Sequence, residues 1–453
     1  MKRGPIVRYG PRVGRRLPVA AQLSSIILTL VVGLASPNDY FVVRVTDEAT
    51  GRGVPLIELK LPNEVKYWTD SAGIAAIHEP SLEKHDVFVA VSGHGYEFPN
   101  ETPLGRGINL TFKPGARADI AVRRTMIAER LYRLTGEGIY RDSLLAGLPA
   151  PIRDPLLNDG QVLGQDTAVE TRYRGKLYWI WGDTKGPNFW NFSVTGATSG
   201  LPGHGGLDPA EGVNYSYFTE SNGRVKTMLP LPRKGLVWIE GLFTVKDPDG
   251  RERLLATYTL QQGLTPPEEC GVATFNDDKE RFEPWFQYPC QKESHRSSHP
   301  FLYRDGGREY WYLYPWLRVP NEWDAIRDFA RWERREIQLP PNAKRASSAA
   351  WNGYRRRFVL LLENTGEVWY AEAERPEGPY GTAVRIVQHN RYNFYNVVQH
   401  PLFEQEGGRV IYFEGTYTDA FSGAKEKTPR YNYNQIMYRL RLDDSRLKVA
   451  REP

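Results

Sequence analysis

From Tyr40 onward the chain alternates short apolar stretches with turns and builds no long helical stripe. Tyr40-Phe41-Val42-Val43-Arg44-Val45, Ile57-Glu58-Leu59-Lys60-Leu61 and Asp86-Val87-Phe88-Val89-Ala90-Val91 read as strands, the second in strict two-residue alternation. Gly, Asp and Pro clusters such as Asp47-Glu48-Ala49-Thr50-Gly51-Arg52-Gly53 and Thr69-Asp70-Ser71-Ala72-Gly73 separate them with turn chemistry. The pattern predicts a small β-sandwich over 39–125. A short helix is predicted at 125–133, within a linker over 126–160 that carries Pro149, Pro151 and Pro155.

Over 161–445 one grammar recurs five times: a strand holding a polar residue, a turn with Gly or charge, then a strand usually rich in aromatics. The first unit runs from Gly164-Gln165-Asp166-Thr167 to Leu177-Tyr178-Trp179-Ile180-Trp181, and the second from Val237-Trp238-Ile239-Glu240 to Leu254-Leu255-Ala256-Thr257-Tyr258. The third pairs His299-Pro300-Phe301 with Tyr310-Trp311-Tyr312, the fourth Ser347-Ser348 with Phe358-Val359-Leu360, and the fifth Gln399-His400-Pro401-Leu402-Phe403 with Val410-Ile411-Tyr412-Phe413. Markers roughly fifty to seventy residues apart suit one four-stranded blade per unit. The fold class predicted is all-β, a sandwich followed by a five-bladed β-propeller.

Charge and cysteine usage narrow the class of function. The first 35 residues hold Lys2, Arg3, Arg8, Arg12, Arg15 and Arg16 and no acid, while the whole chain carries only +5. The remainder is therefore near neutral, which argues against nucleic acid as a partner. The apolar run 25–35 ends in small residues, Gly33 and Ala35 among them, so 1–36 reads as a signal peptide, with an uncleaved anchor as the rival. No membrane span is expected in the mature chain, and export to the periplasm, cell surface or medium follows. Cys270 and Cys290 suit a disulfide there, or two unrelated buried thiols, better than a zinc site. No GxSxG, Walker loop, dinucleotide fingerprint or HExxH occurs.

In a propeller the innermost strands line the axis, so Asp166, Glu240, His299, Ser347 or Ser348, and His400 are expected to share one funnel. A carboxylate from each of two blades is the minimum equipment for glycoside hydrolysis: one protonates the leaving oxygen, the other activates water or attacks the anomeric carbon. Asp166 also suits a turn, with Glu170 and Asp183 as neighbouring rivals. Glu240 lies in an apolar strand, where an unpaired carboxylate is costly unless it meets a partner or a wet funnel.

The segments Gln165-Asp166-Thr167-Ala168-Val169-Glu170 and Ile239-Glu240-Gly241-Leu242-Phe243 resemble motifs of five-bladed glycoside hydrolases, the arabinanases, β-xylosidases and arabinofuranosidases. The resemblance implies Asp166 as general base, Glu240 as general acid, a carbohydrate substrate, and His400 at an axial position that often holds calcium. It departs from the family at Thr167 and Leu242, where Pro is usual. The order Thr50-Gly51-Arg52-Gly53-Val54-Pro55, Thr69-Asp70 and Gly93-His94-Gly95-Tyr96 resembles carboxypeptidase-regulatory-like, transthyretin-like modules, which implies a support without chemistry.

Substrate contacts are expected from Asp183, Trp238, Tyr258, His299, Trp316, Tyr395, Asn396 and Glu414. Amide-and-ring runs such as Tyr392-Asn393-Phe394-Tyr395-Asn396, Trp190-Asn191-Phe192 and Tyr431-Asn432-Tyr433 suit sugar hydroxyls and faces. Two rivals to the glycosidase remain: a polysaccharide lyase using His299 or His400, and a non-catalytic glycan-binding protein.

Overall fold

The computed structural model describes residues 36–156, 159–187, 189–191 as backbone only, 194–290, 299–313, 317–342 and 345–451. The predicted leader up to residue 35, Trp316, and the side chains of Trp190, Asn191 and Phe192 lie outside these residues. Among those described, no helix is long and apolar enough to cross a membrane.

Five four-stranded antiparallel sheets form the propeller. Their innermost strands are Ala168–Tyr173, Leu236–Lys246, Phe301–Asp305, Arg345–Asn352 and Asn393–Gln399, in blades 1 to 5. The two faces of each blade pack against its neighbours, so successive residues of one strand enter different seams. In blade 1, Trp179 and Trp181 face blade 5 while Tyr178 and Ile180 face blade 2. Each of the five seams holds its own apolar cluster.

Two sequence expectations change here. Residues 125–133 are not a helix: Glu129–Arg133 is a fully buried strand, paired antiparallel with Asn434–Arg441 as the outermost strand of blade 5. It closes the ring by joining chain that precedes blade 1 to the last blade. The fifth repeat is also displaced, because His400 follows the inner strand and opens the 3-10 turn Pro401–Phe403.

The N-terminal strands form one sheet of nine, nearly closed and barrel-like, where a two-layer sandwich was expected. Phe41–Asp47 runs parallel to Arg117–Arg124 and antiparallel to Ile74–Ile77. Its core continues into the seam of blades 4 and 5, joining Val43, Val45 and Val89 to Leu361, Phe394 and Phe413. Buried Arg130 ties the two parts, donating from Nε to the Pro55 carbonyl at 3.0 Å and from a terminal nitrogen to the His94 carbonyl at 2.8 Å.

Candidate active site

Asp166 sits just before the inner strand of blade 1, after the two-residue strand Gly164–Gln165 that pairs with Thr184–Gly186. Its Oδ2 accepts from the Tyr395 hydroxyl at 2.7 Å, and its Oδ1 accepts from the Asp183 backbone N–H at 2.9 Å. The Tyr433 hydroxyl also bonds this carboxylate. Burial pushes its pKa up, opposed by these hydrogen bonds.

Three residues beside Asp166 hold left-handed backbone: Thr167 at φ 52°, Asn396 at φ 52° and Tyr433 at φ 65°. For a β-branched threonine this is strained and persists only where neighbours fix it. The Thr416 hydroxyl accepts from the Thr167 N–H at 3.1 Å, and the Asn396 amide donates to the Thr167 hydroxyl. Asn396 accepts from Arg345 at 2.9 Å, and Arg345 pairs with buried Glu363 at 2.9 Å. A polar chain therefore runs from blade 4 through blade 5 to the residue following Asp166.

Asp183, at the end of the second strand of blade 1, is the second carboxylate of this corner. Burial first, and then the Asp166 charge, raise its pKa to about 7. Trp238, from the inner strand of blade 2, offers its indole N–H to Asp183 Oδ1 at 3.4 Å. Gly182 leaves room for Asp166: a Cβ there would lie 2.5 Å from Asp166 Oδ1 and force that carboxyl to shift.

Glu240 occupies a β-bulge, for Ile239 pairs with Tyr258 and Gly241 with Thr257, which leaves Glu240 opposite nothing. Such a bulge re-aims a side chain out of the strand's alternation. The carboxyl is buried, Oε1 accepts from the Thr259 hydroxyl at 3.2 Å, and burial holds its pKa well above the usual range. The inner strand of blade 4 bulges at Ser347 and that of blade 5 at Asn396 and Val397. The Ser347 hydroxyl donates to the Val397 carbonyl at 2.7 Å and lies 3.2 Å from the Glu363 carboxylate.

The two histidines part company. His299 is buried and its Nε2 has no hydrogen-bond partner among the described residues. Burial, with the His400 charge adding, lowers its pKa to about 3, so it is neutral. His400 lies fully buried in the seam of blades 5 and 1, with Nδ1 3.0 Å from Glu170 and Nε2 3.0 Å from Glu414. Burial opposes its charge, but the two carboxylates overcome it and raise the pKa to about 10. An imidazolium with both nitrogens facing carboxylates has no lone pair for a cation, and calcium favours a shell of oxygens. Among the described residues no group of three or more His, Cys, Asp or Glu is arranged for a metal, so the axial calcium expected at His400 does not fit.

The corner thus gathers Asp166, Asp183, Trp238, Tyr395 and Asn396. Glu414 and Tyr258 lie elsewhere: Glu414 is sequestered against His400, and fully buried Tyr258 donates to Glu269 at 2.8 Å in the seam of blades 1 and 2. Sequence reasoning missed Arg345 and Glu363, and named Tyr433 only within a run of rings and amides. Cys270 and Cys290 are joined as a disulfide with Cα atoms 5.2 Å apart.

No protein-family model matches the chain, and no characterised protein matches it in sequence. Solved structures do. An exo-β-1,3-galactanase from Phanerochaete chrysosporium matches at 13% identity over 62% of this chain and 61% of that one, with a TM-score of 0.42. An exo-1,5-α-L-arabinanase from a bovine ruminal metagenomic library matches at 12% over 62% and 94%, TM-score 0.36. An α-L-arabinofuranosidase of glycoside hydrolase family 43 from Clostridium thermocellum matches at 13% over 60% and 88%, TM-score 0.36. The similarity is distant, and no residue's role rests on it.

Proposed function

We propose that the protein is an exported glycoside hydrolase, with Glu240 as general acid and Asp166 as general base. The observation that carries this reading is the division of protonation among three carboxyls from adjoining blades. Burial pushes the Glu240 carboxyl well above the usual carboxylate range and so favours its protonated form, and Asp183 holds a proton up to about pH 7. Asp166, with hydroxyl and backbone donors on both oxygens, is the member of its pair best able to carry the charge. Environments that push carboxyl pKa values apart are how acid and base roles are assigned at one pH.

In the proposed reaction the Glu240 carboxyl gives its proton to the glycosidic oxygen as the C–O bond breaks. Asp166 takes a proton from the water that attacks the anomeric carbon, so the two carboxyls exchange protonation states and solvent restores them. Trp238 beside Asp183 and Tyr395 beside Asp166 are the proposed contacts to the sugar ring. The Cys270–Cys290 disulfide supports an oxidising compartment.

The test is release of reducing sugar from neutral and acidic glycans, β-1,3-galactan and arabinan among them, by the purified protein. Glu240→Gln and Asp166→Asn should each lower kcat by about 10²–10⁴-fold with an unchanged melting temperature. Cleavage at full rate in either variant would remove that residue from its role, and unsaturated products absorbing near ~230 nm would replace hydrolysis by elimination at a uronate. Treatment with EDTA should change neither turnover nor melting temperature; a loss restored by calcium would contradict the charged state assigned to His400.

A further inference from the structure

A cleft of about 510 Å³ lies between the N-terminal sheet and the blade 5 loops at 390–392 and 422–428. That volume is typical of small-ligand sites. One wall carries Lys66 and Trp68 on an edge strand, with Glu58 beside them and His94 at the next turn. The other carries Asn390, Arg391, Lys425, Glu426 and Lys427. None of these residues belongs to the carboxylate corner.

The cleft is held in shape by bonds that cross it. His94 Nδ1 accepts from the Asn390 backbone N–H at 3.0 Å, so the proton sits on Nε2, which donates to the Tyr417 hydroxyl at 3.0 Å. Desolvation by burial, with Arg130 and Arg391 nearby, lowers the pKa of His94 to about 3, which keeps that tautomer neutral. Lys66 reaches across to Glu426 at 2.6 Å and lies 4.0 Å from Glu58. Tyr392 accepts from the Thr428 N–H and donates to the Glu426 carbonyl, fixing the 426–428 loop.

Lys66 pairs with Glu426 and lies near Glu58, and the Arg391 charge also acts on Glu426. Exposed Arg391, Lys425 and Lys427 are left without a carboxylate in ion-pair contact among the described residues. Lys66, Arg391, Lys425 and Lys427 against Glu58 and Glu426 leave the lining with a net charge of +2, on a recess whose wall holds a partly buried tryptophan, in a chain that is close to neutral outside its first 35 residues. A flat indole suits the apolar face of a sugar ring, while the cations suit carboxylate or sulfate. Glu58 and Glu426 would repel a continuous run of phosphates yet accept from hydroxyls, which favours a glycan over a nucleic acid.

We propose that this cleft is a second, non-catalytic binding site for an acidic oligosaccharide, one bearing carboxylate or sulfate groups. The site stands apart from the catalytic reading, since no carboxyl of the blade 1 and 2 corner lines it. It would hold an acidic polymer against the N-terminal sheet whatever the propeller does to it.

Calorimetric titration of the whole chain, native and with Asp166→Asn, against oligogalacturonates, chondroitin sulfate fragments, neutral galacto-oligosaccharides and a short DNA duplex tests the proposal. One or both acidic glycans should bind equally to the two proteins, weaken with salt, and outbind the neutral sugars and DNA. The arm that binds, carboxylated or sulfated, names the anion. The Lys425→Ala/Lys427→Ala double variant and Arg391→Ala, all at exposed positions, should each weaken binding at least about tenfold, as should Trp68→Ala. Absence of acidic-glycan binding at millimolar concentration, affinity unchanged by the Lys and Arg variants, or DNA bound as tightly as glycan would each overturn it.

Discussion

At the scale of single residues the corner around Asp166 depends on backbone that the sequence does not announce. Thr167, Asn396 and Tyr433 take left-handed conformations, which a β-branched threonine in particular does not favour, and contacts between blades help to hold them there. Asp166, Trp238 and Tyr395 were visible as polar or aromatic marks in predicted strands; the strain at Thr167 was not, because its partners Thr416 and Asn396 lie more than 200 residues away. Gly182 is the sharpest local constraint. Gly182→Ala should fold, displace the Asp166 carboxyl, and lower kcat by about 10²-fold, since small misplacements of a reacting group cost that much. Steady-state kinetics beside thermal melting would check it, and full activity would mean that Asp166 has room to move. Asp183 gives a pH test. Its folded pKa of about 7 lies above the ~4 of an unfolded carboxyl, so its contribution to stability falls as pH rises from ~4 through about 7. The same ionisation adds a second negative charge beside Asp166. If the proposed hydrolysis holds, the pH profile of kcat/KM should therefore bend near 7 in the native protein and lose that bend in Asp183→Asn.

Among elements, the seams between blades explain what the repeat could and could not reveal. Aromatic strands with Gly turns were legible because hairpin pairing is local and each strand's alternation is dictated by two apolar faces. Glu129–Arg133 was misread because Met126-Ile127-Ala128-Glu129-Arg130-Leu131 favours helix locally, while its partner strand lies some 300 residues away. His400 was aligned with Asp166, yet Tyr395 is the residue that meets Asp166, and His400 lies farther along, level with Glu170. A histidine preceding Pro gave no hint of two carboxylates on either side. The resulting Glu170–His400–Glu414 cluster binds the seam that closes the ring. His400→Ala leaves two buried carboxylates facing each other and should cost ~3–5 kcal/mol in a urea titration. The sign of its pH dependence follows from a raised pKa. The stabilisation is complete below the unfolded value near ~6.5 and disappears as pH rises through about 10, a slope that the variant should lack.

For the whole molecule, the N-terminal sheet is built into the propeller and is no detached support. A core continuous from Val43 to Phe413, with Arg130 spanning both parts, predicts one calorimetric unfolding transition for the described chain. Two separate transitions would contradict that coupling. The five-unit architecture was readable from spacing, whereas the nearly closed form of the first sheet was not, because sequence alternation reports which face is covered and not how strand order closes. The central claim is that Asp166 of blade 1 and Glu240 of blade 2 act on one glycosidic bond, and leaving-group dependence tests it most directly. Glu240→Gln should lose about 10²–10⁴-fold in kcat on a cleaved oligosaccharide, yet far less on the dinitrophenyl glycoside of the same sugar, whose leaving group needs no proton. Equal losses on both substrates, or none on either, would contradict the acid role at Glu240 and with it the mechanism.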